Sequence, residues 1–107
     1  MGQKPVLVTT TLPSKEEALK MANNLVKNKL AACVNIAEVF SVYEWENSIQ
    51  EDNEFKLFIK SFEYIWPKLK DAIKENHTYS VPEISMIYIE DMHDEYKSWM
   101  SDNCLVS

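Results

Sequence analysis

Hydrophobic positions repeat with two different periods along this chain, and the switches between them lay out its elements. Val6 to Leu12 is a β-rich run that stops at Pro13. Ser14-Lys15-Glu16-Glu17 then has the Ser-x-x-Glu form of a capping box, whose side chains satisfy free amides in the first turn of a helix. Ala18, Met21, Ala22, Leu25 and Val26 follow at helical spacing, which predicts an amphipathic helix to about Asn28. Ala32 to Trp45 is rich in small, β-branched and aromatic residues. Ile49 to Phe62 alternates, with Phe55, Leu57 and Ile59 on one face and Glu54, Lys56 and Lys60 on the other. Glu46-Asn47-Ser48 joins the two as a turn in which Asn47 can take a left-handed conformation, giving an antiparallel hairpin.

A second helix is predicted over about Glu63 to Asn76, with Pro67 near its first turn and Ile65, Leu69, Ala72 and Ile73 as its apolar stripe. Val81-Pro82 is an extended entry, because a residue before proline avoids the helical region. Ile84 to Ile89 forms a strand apolar on both sides, and Asp94 to about Asp102 a short helix carrying Tyr96, Trp99 and Met100. The order βαββαβ plus a C-terminal helix predicts an α+β, ferredoxin-like sandwich with a long central hairpin, in a single domain spanning residues 1–107.

The hairpin is longer than its cover. Ala32 to Trp45 would extend roughly 46 Å at about 3.3 Å per residue, whereas the predicted helices reach only about 20–23 Å at about 1.5 Å per residue. Half of the hairpin therefore overhangs, carrying Tyr43, Trp45 and Ile49, and closed homo-oligomerisation is the simplest way to cover it. Bent or bulged, shorter strands are the alternative.

Charge narrows the possible partners. The net charge is −6, and every basic residue is lysine. Without arginine's bidentate fork or a basic footprint, nucleic acid is an unsuitable partner. No apolar run reaches the roughly 20 residues of a membrane helix. The first residues lack the basic and apolar regions of a signal peptide, and Val6 stands where a myristoylation motif at Gly2 needs Ser or Thr. Two cysteines, Cys33 and Cys104, make no disulfide framework, so a cytoplasmic location is expected.

Four segments carry a resemblance. Ala31-Ala32-Cys33-Val34-Asn35-Ile36, Ser41-Val42-Tyr43-Glu44-Trp45 with Ile49 and Glu54, His77-Thr78-Tyr79-Ser80-Val81-Pro82-Glu83-Ile84, and Tyr96-Lys97-Ser98-Trp99-Met100 together resemble the CutA divalent-cation tolerance family. The resemblance spans nearly the whole chain. It implies a homotrimer, related in shape to the PII signalling proteins, whose hairpins clasp neighbouring subunits. It also implies a link to metal tolerance, with copper or another divalent cation as ligand. The chain departs from the copper-associated pattern, with Thr10 in place of a cysteine and Asn76 in place of one of two histidines, leaving His77.

The candidate chemistry is sparse. His77 is open to three roles, as a metal ligand, a proton shuttle or a helix cap. Cys33 is either a buried thiol or a soft ligand, Cys104 an exposed thiol, and His93 part of an acidic segment that is either a solvated loop and helix start or a place to attract cations. Tyr43, Glu54, Lys60, His77, Tyr79 and Glu83 are expected to gather at clefts between subunits and bind a small polar ligand or cation. No catalytic set is expected. The acylphosphatases and RNA-recognition domains share the βαββαβ order, but the first group binds phosphate through arginine and the second needs a basic surface. PII-like small-molecule signalling and a purely structural trimer remain the alternatives.

Overall fold

The computed structural model describes residues 3–106; Gly2, considered above for myristoylation, lies outside them. Its strands are β1 (Pro5–Leu12), β2 (Cys33–Trp45), β3 (Ser48–Phe62) and β4 (Ser85–Tyr88). Its α-helices are α1 (Lys15–Lys27), α2 (Trp66–Glu75) and α3 (Asp94–Asp102). The sheet order is β2-β3-β1-β4 with every neighbouring pair antiparallel, which is the ferredoxin-like arrangement expected from the element order.

The local signals act as their chemistry requires. The Ser14 hydroxyl accepts the Glu17 amide at 3.1 Å, so the capping box opens α1. The expected second helix is divided: Glu63–Ile65 is a 3-10 turn, and the α-helix starts at Trp66. Pro67 falls at its start, where its missing N–H leaves no helical bond unmade. β4 is shorter than its apolar run, because its pairing with β1 ends at Ser85 opposite Thr9. Glu46 and Asn47 have φ of 52° and 66°, the positive pair that a two-residue type I′ turn needs.

One face of the sheet carries the core. Val6, Val8 and Leu12 of β1 and Leu57 and Ile59 of β3 pack with Leu25, Leu69, Ile73 and Met100, all essentially inaccessible to water. Buried polar groups are matched among the described residues; the Ser61 hydroxyl, for example, donates to the Leu30 carbonyl at 2.7 Å. The opposite face is left open at Asn35, Ala37 and Ile87.

β2 and β3 pair without a bulge from Cys33–Lys60 to Trp45–Ser48. Bending and bulging therefore do not shorten the hairpin. β1 accompanies β3 only as far as Leu12–Phe55, so the rows beyond form a two-stranded ribbon. The molecule is accordingly elongated, 48 × 25 × 21 Å, and Phe40 (84% exposed), Val42 (69%) and Ile49 (66%) stand in water on the ribbon.

Candidate functional site

The segment between α2 and β4 folds back past the end of β1 and is held there by His77. Its Nε2 lies 2.9 Å from the Thr11 carbonyl oxygen and 3.2 Å from the Thr10 hydroxyl. The Tyr79 amide donates to Nδ1 at 3.1 Å. A nitrogen that accepts an N–H cannot carry a proton, so the ring proton belongs on Nε2, where it is donated to Thr11. Burial holds the His77 pKa below the ordinary 6.5, against opposing pulls from the Thr11 carbonyl, Glu17 and Glu54.

Anchored in this way, Tyr79 stacks obliquely on His77 with ring centroids 5.1 Å apart, and its hydroxyl donates to Glu54 Oε2 at 2.6 Å. Glu54 belongs to the ribbon part of β3 yet is only 6% exposed. Burial first, and the bond to Glu54 second, push the Tyr79 pKa far up, so the phenol stays a proton donor. Across from it, Glu83 Oε2 accepts from the Thr9 hydroxyl at 2.7 Å and the Ser85 hydroxyl at 3.0 Å. The Tyr43 hydroxyl donates to Asp52, a bond that raises its pKa too.

These groups border an open groove of about 450 Å³ whose walls include Tyr43, Trp45, Glu54, Tyr79, Val81 and Glu83. A second hollow of about 420 Å³ shares Tyr43, Glu54 and Glu83 with it and is flanked by Phe40 and Lys56. The donors facing the groove are carboxylates and hydroxyls. Among the described residues the one contact between a basic side chain and a carboxylate is remote, His93 with Glu95 at 3.3 Å on the surface.

The structure thus brings Tyr43, Glu54, Tyr79 and Glu83 to one place and sets His77 behind them as the support of Tyr79. Lys60 is not with them. It lies six residues along β3 from Glu54, roughly 20 Å away at about 3.3 Å per residue. There its ammonium bonds Asn35 Oδ1 at 3.2 Å and lies 5.4 Å from the centre of the Tyr96 ring.

The two expected metal ligands are separated as well. Cys33 stands opposite Lys60, three rows from the Thr10–Leu57 row that His77 contacts, which is about 10 Å along the strands. His77 has both nitrogens engaged, and no group of three or more His, Cys, Asp or Glu able to hold a metal occurs among the described residues. The donors of a single chain therefore do not fit a copper centre, which takes imidazole and thiolate in a set of three or four. Cys104, expected to be exposed, is 4% exposed, and burial pushes its thiol up to about 11.

Three participants escaped the sequence reading. Thr9, whose hydroxyl donates to Glu83, Thr11, whose carbonyl accepts from His77, and Trp45, placed above only on the overhang, all border or buttress the groove. The run Thr9-Thr10-Thr11 was the available signal, since three hydroxyls closing a core strand need partners.

Known proteins share both this sequence and this shape. Residues 6–103 match the family model of the CutA1 divalent ion tolerance protein. The divalent-cation tolerance protein CutA of Thermus thermophilus is 41% identical over 98 residues, covering 91% of this chain and 95% of its own. The crystal structure of CutA1 from Oryza sativa superposes with a TM-score of 0.94 at 36% identity, over 97% of this chain and 96% of that one. A structure described as the periplasmic divalent cation tolerance protein CutA, from Archaeoglobus fulgidus, gives 0.90 at 34% identity, over 92% and 97%. With a family match over nearly its whole length and the same fold throughout, the chain belongs to the CutA1 divalent ion tolerance family.

Proposed function

We propose that this protein serves divalent-cation tolerance as a cytoplasmic homotrimer that binds a cation or small polar ligand in the groove beside Glu54. The family is named for a tolerance and not for a reaction, and no catalytic step is assigned here. The observation that carries the ligand half is Glu54 itself, a carboxylate 6% exposed at the edge of a groove with no ion-pair partner among the described residues. Its one hydrogen bond comes from the neutral Tyr79 hydroxyl, which leaves its second oxygen free to meet a counter-charge. Oxygen donors suit hard divalent cations and cationic organic groups better than copper.

The assembly half is supported by the ribbon. Phe40, Val42 and Ile49 form the kind of exposed apolar stretch that a subunit contact covers, and a closed ring gives every copy the same cover. The cytoplasmic reading is supported by two cysteines that are both free. Light scattering tests the trimer: a mass three times the 12.5 kDa of one chain is expected, and a monomer mass refutes it. Calorimetry with manganese, zinc, copper and organic cations, on native protein and on Glu54→Gln, tests the groove. Binding that is lost in the variant is expected, and silence from every ligand refutes a ligand site.

A further inference from the structure

The groove specifies the kind of positive charge it takes. Among the described residues Glu54 receives one hydrogen bond, from the neutral Tyr79 hydroxyl to Oε2. Oε1 receives none, and no lysine or histidine nitrogen lies within 4.0 Å of either oxygen. Glu83 brings a second carboxylate to the same groove from a different element, with its own Oε1 also unengaged. Lys56 borders the adjoining hollow without pairing with either acid. A concave surface with two acids and no cation paired with either, Lys56 lying beyond ion-pair distance, carries negative potential inside it.

Size and wall chemistry then separate a metal ion from a larger cation. The groove holds about 450 Å³, many times the roughly 30 Å³ that one water occupies in the liquid. Tyr43 and Trp45, 41% and 48% exposed in the single chain, line the groove together with Val81. Aromatic faces attract organic cations through their quadrupoles, whereas a hydrated metal ion would leave those walls unused. The Thr11 carbonyl holds His77 and His77 holds Tyr79, the partner of Glu54, so the acid is presented by a braced wall.

We propose that the groove binds a small organic cation, an ammonium or guanidinium group on a short apolar stem. Glu54 and Glu83 accept its N–H donors, and Tyr43 and Trp45 pack its stem. This rests on the reading of the groove as a ligand site and names the ligand's class.

The test is calorimetry on the intact protein at neutral pH and low salt. 1,5-Diaminopentane and butylguanidine are the organic probes, and manganese and zinc chlorides the metal arm. One probe bound per chain is expected. Glu54→Gln should weaken it by about fivefold to tenfold, the difference between a charged and a neutral acceptor. Trp45→Ala should weaken it by about threefold to tenfold while leaving any metal binding unchanged. Glu83→Gln changes an exposed residue, so it reports on the groove even if Glu54→Gln fails to fold; a several-fold loss is expected.

Metal binding that depends on Glu54, with no binding of either organic probe, overturns the organic cation and leaves the ligand site standing. No binding by any of the four overturns both. Probe binding unchanged in every folded variant places the ligand elsewhere and also overturns the proposal.

Discussion

Replacing Tyr79 with phenylalanine removes a single oxygen and leaves Glu54 without its donor. The bond is short, 2.6 Å, and its acceptor is 6% exposed, so water restores little of what is lost. Hydrogen bonds to charged groups contribute about 1.5–3 kcal/mol, and Tyr79→Phe should destabilise the fold by an amount in that range. Glu54→Gln should cost less, because the amide oxygen still accepts from Tyr79 and the unpaired charge is gone. In the double variant the buried amide loses its donor, but an uncharged group is cheaper to leave unpaired. The two changes should therefore couple by about 1 kcal/mol or more. Urea unfolding at 25 °C and one fixed protein concentration measures all four corners of the cycle, the concentration being fixed because assembly contributes to apparent stability. Additivity within about 0.5 kcal/mol would mean that Glu54 is not held by Tyr79 in solution, and the account of the braced groove wall would fall with it.

Three further outcomes follow from the same structure. Because burial depresses the His77 pKa below 6.5, the unfolded chain binds the extra proton more readily; stability is therefore full above 6.5 and declines as pH falls through the folded-state value. His77→Asn should flatten that part of the urea-midpoint profile between pH 7.5 and 5, and an unchanged profile would contradict the assignment. Glu46→Asn should raise stability by a few tenths to about 1 kcal/mol, since Asn tolerates positive φ better than Glu, and a loss on thermal unfolding would refute the I′ turn. Cys104, buried and pushed up to about 11, should resist iodoacetamide at pH 7.5 in the native protein and react once urea unfolds it, as mass spectrometry would detect.

Periodicity made most of the fold legible. The capping box at Ser14, the alternation of Phe55, Leu57 and Ile59 and the turn at Asn47 each have a local cause, and each appears where that cause puts it. The 3-10 turn before Trp66 and the trimmed β4 depend on neighbours: a proline's clash in one case, and the limit of β1 pairing in the other. The site was legible as a set of residue types more than as a place. Alternation puts Glu54 and Lys60 on the same face of β3, but sharing a face says nothing of proximity, and six residues of strand keep them apart. The part played by His77 could not be read at all, because its partners, Thr10 and Thr11, lie 66 or more positions away in the chain. Cys104 looked exposed from its nearness to the chain end, yet α3 and the segment after it carry it into the core beside Met100.

The ribbon also acts as a lever. From the last row shared with β1 it continues through seven more residues of β3, Ser48 to Glu54, an arm of about 23 Å at about 3.3 Å per residue. Tyr43 and Trp45 ride on that arm, while Tyr79 and Val81 belong to the body. Bending the arm by about 10° at its root would move its tip by about 4 Å. Whatever grips the tip therefore sets the aperture between arm and body, and whatever fills the aperture stiffens the arm. Grip and filling bear on one arm, and to the extent that either alters the strength of the other, linkage requires the same factor in both directions.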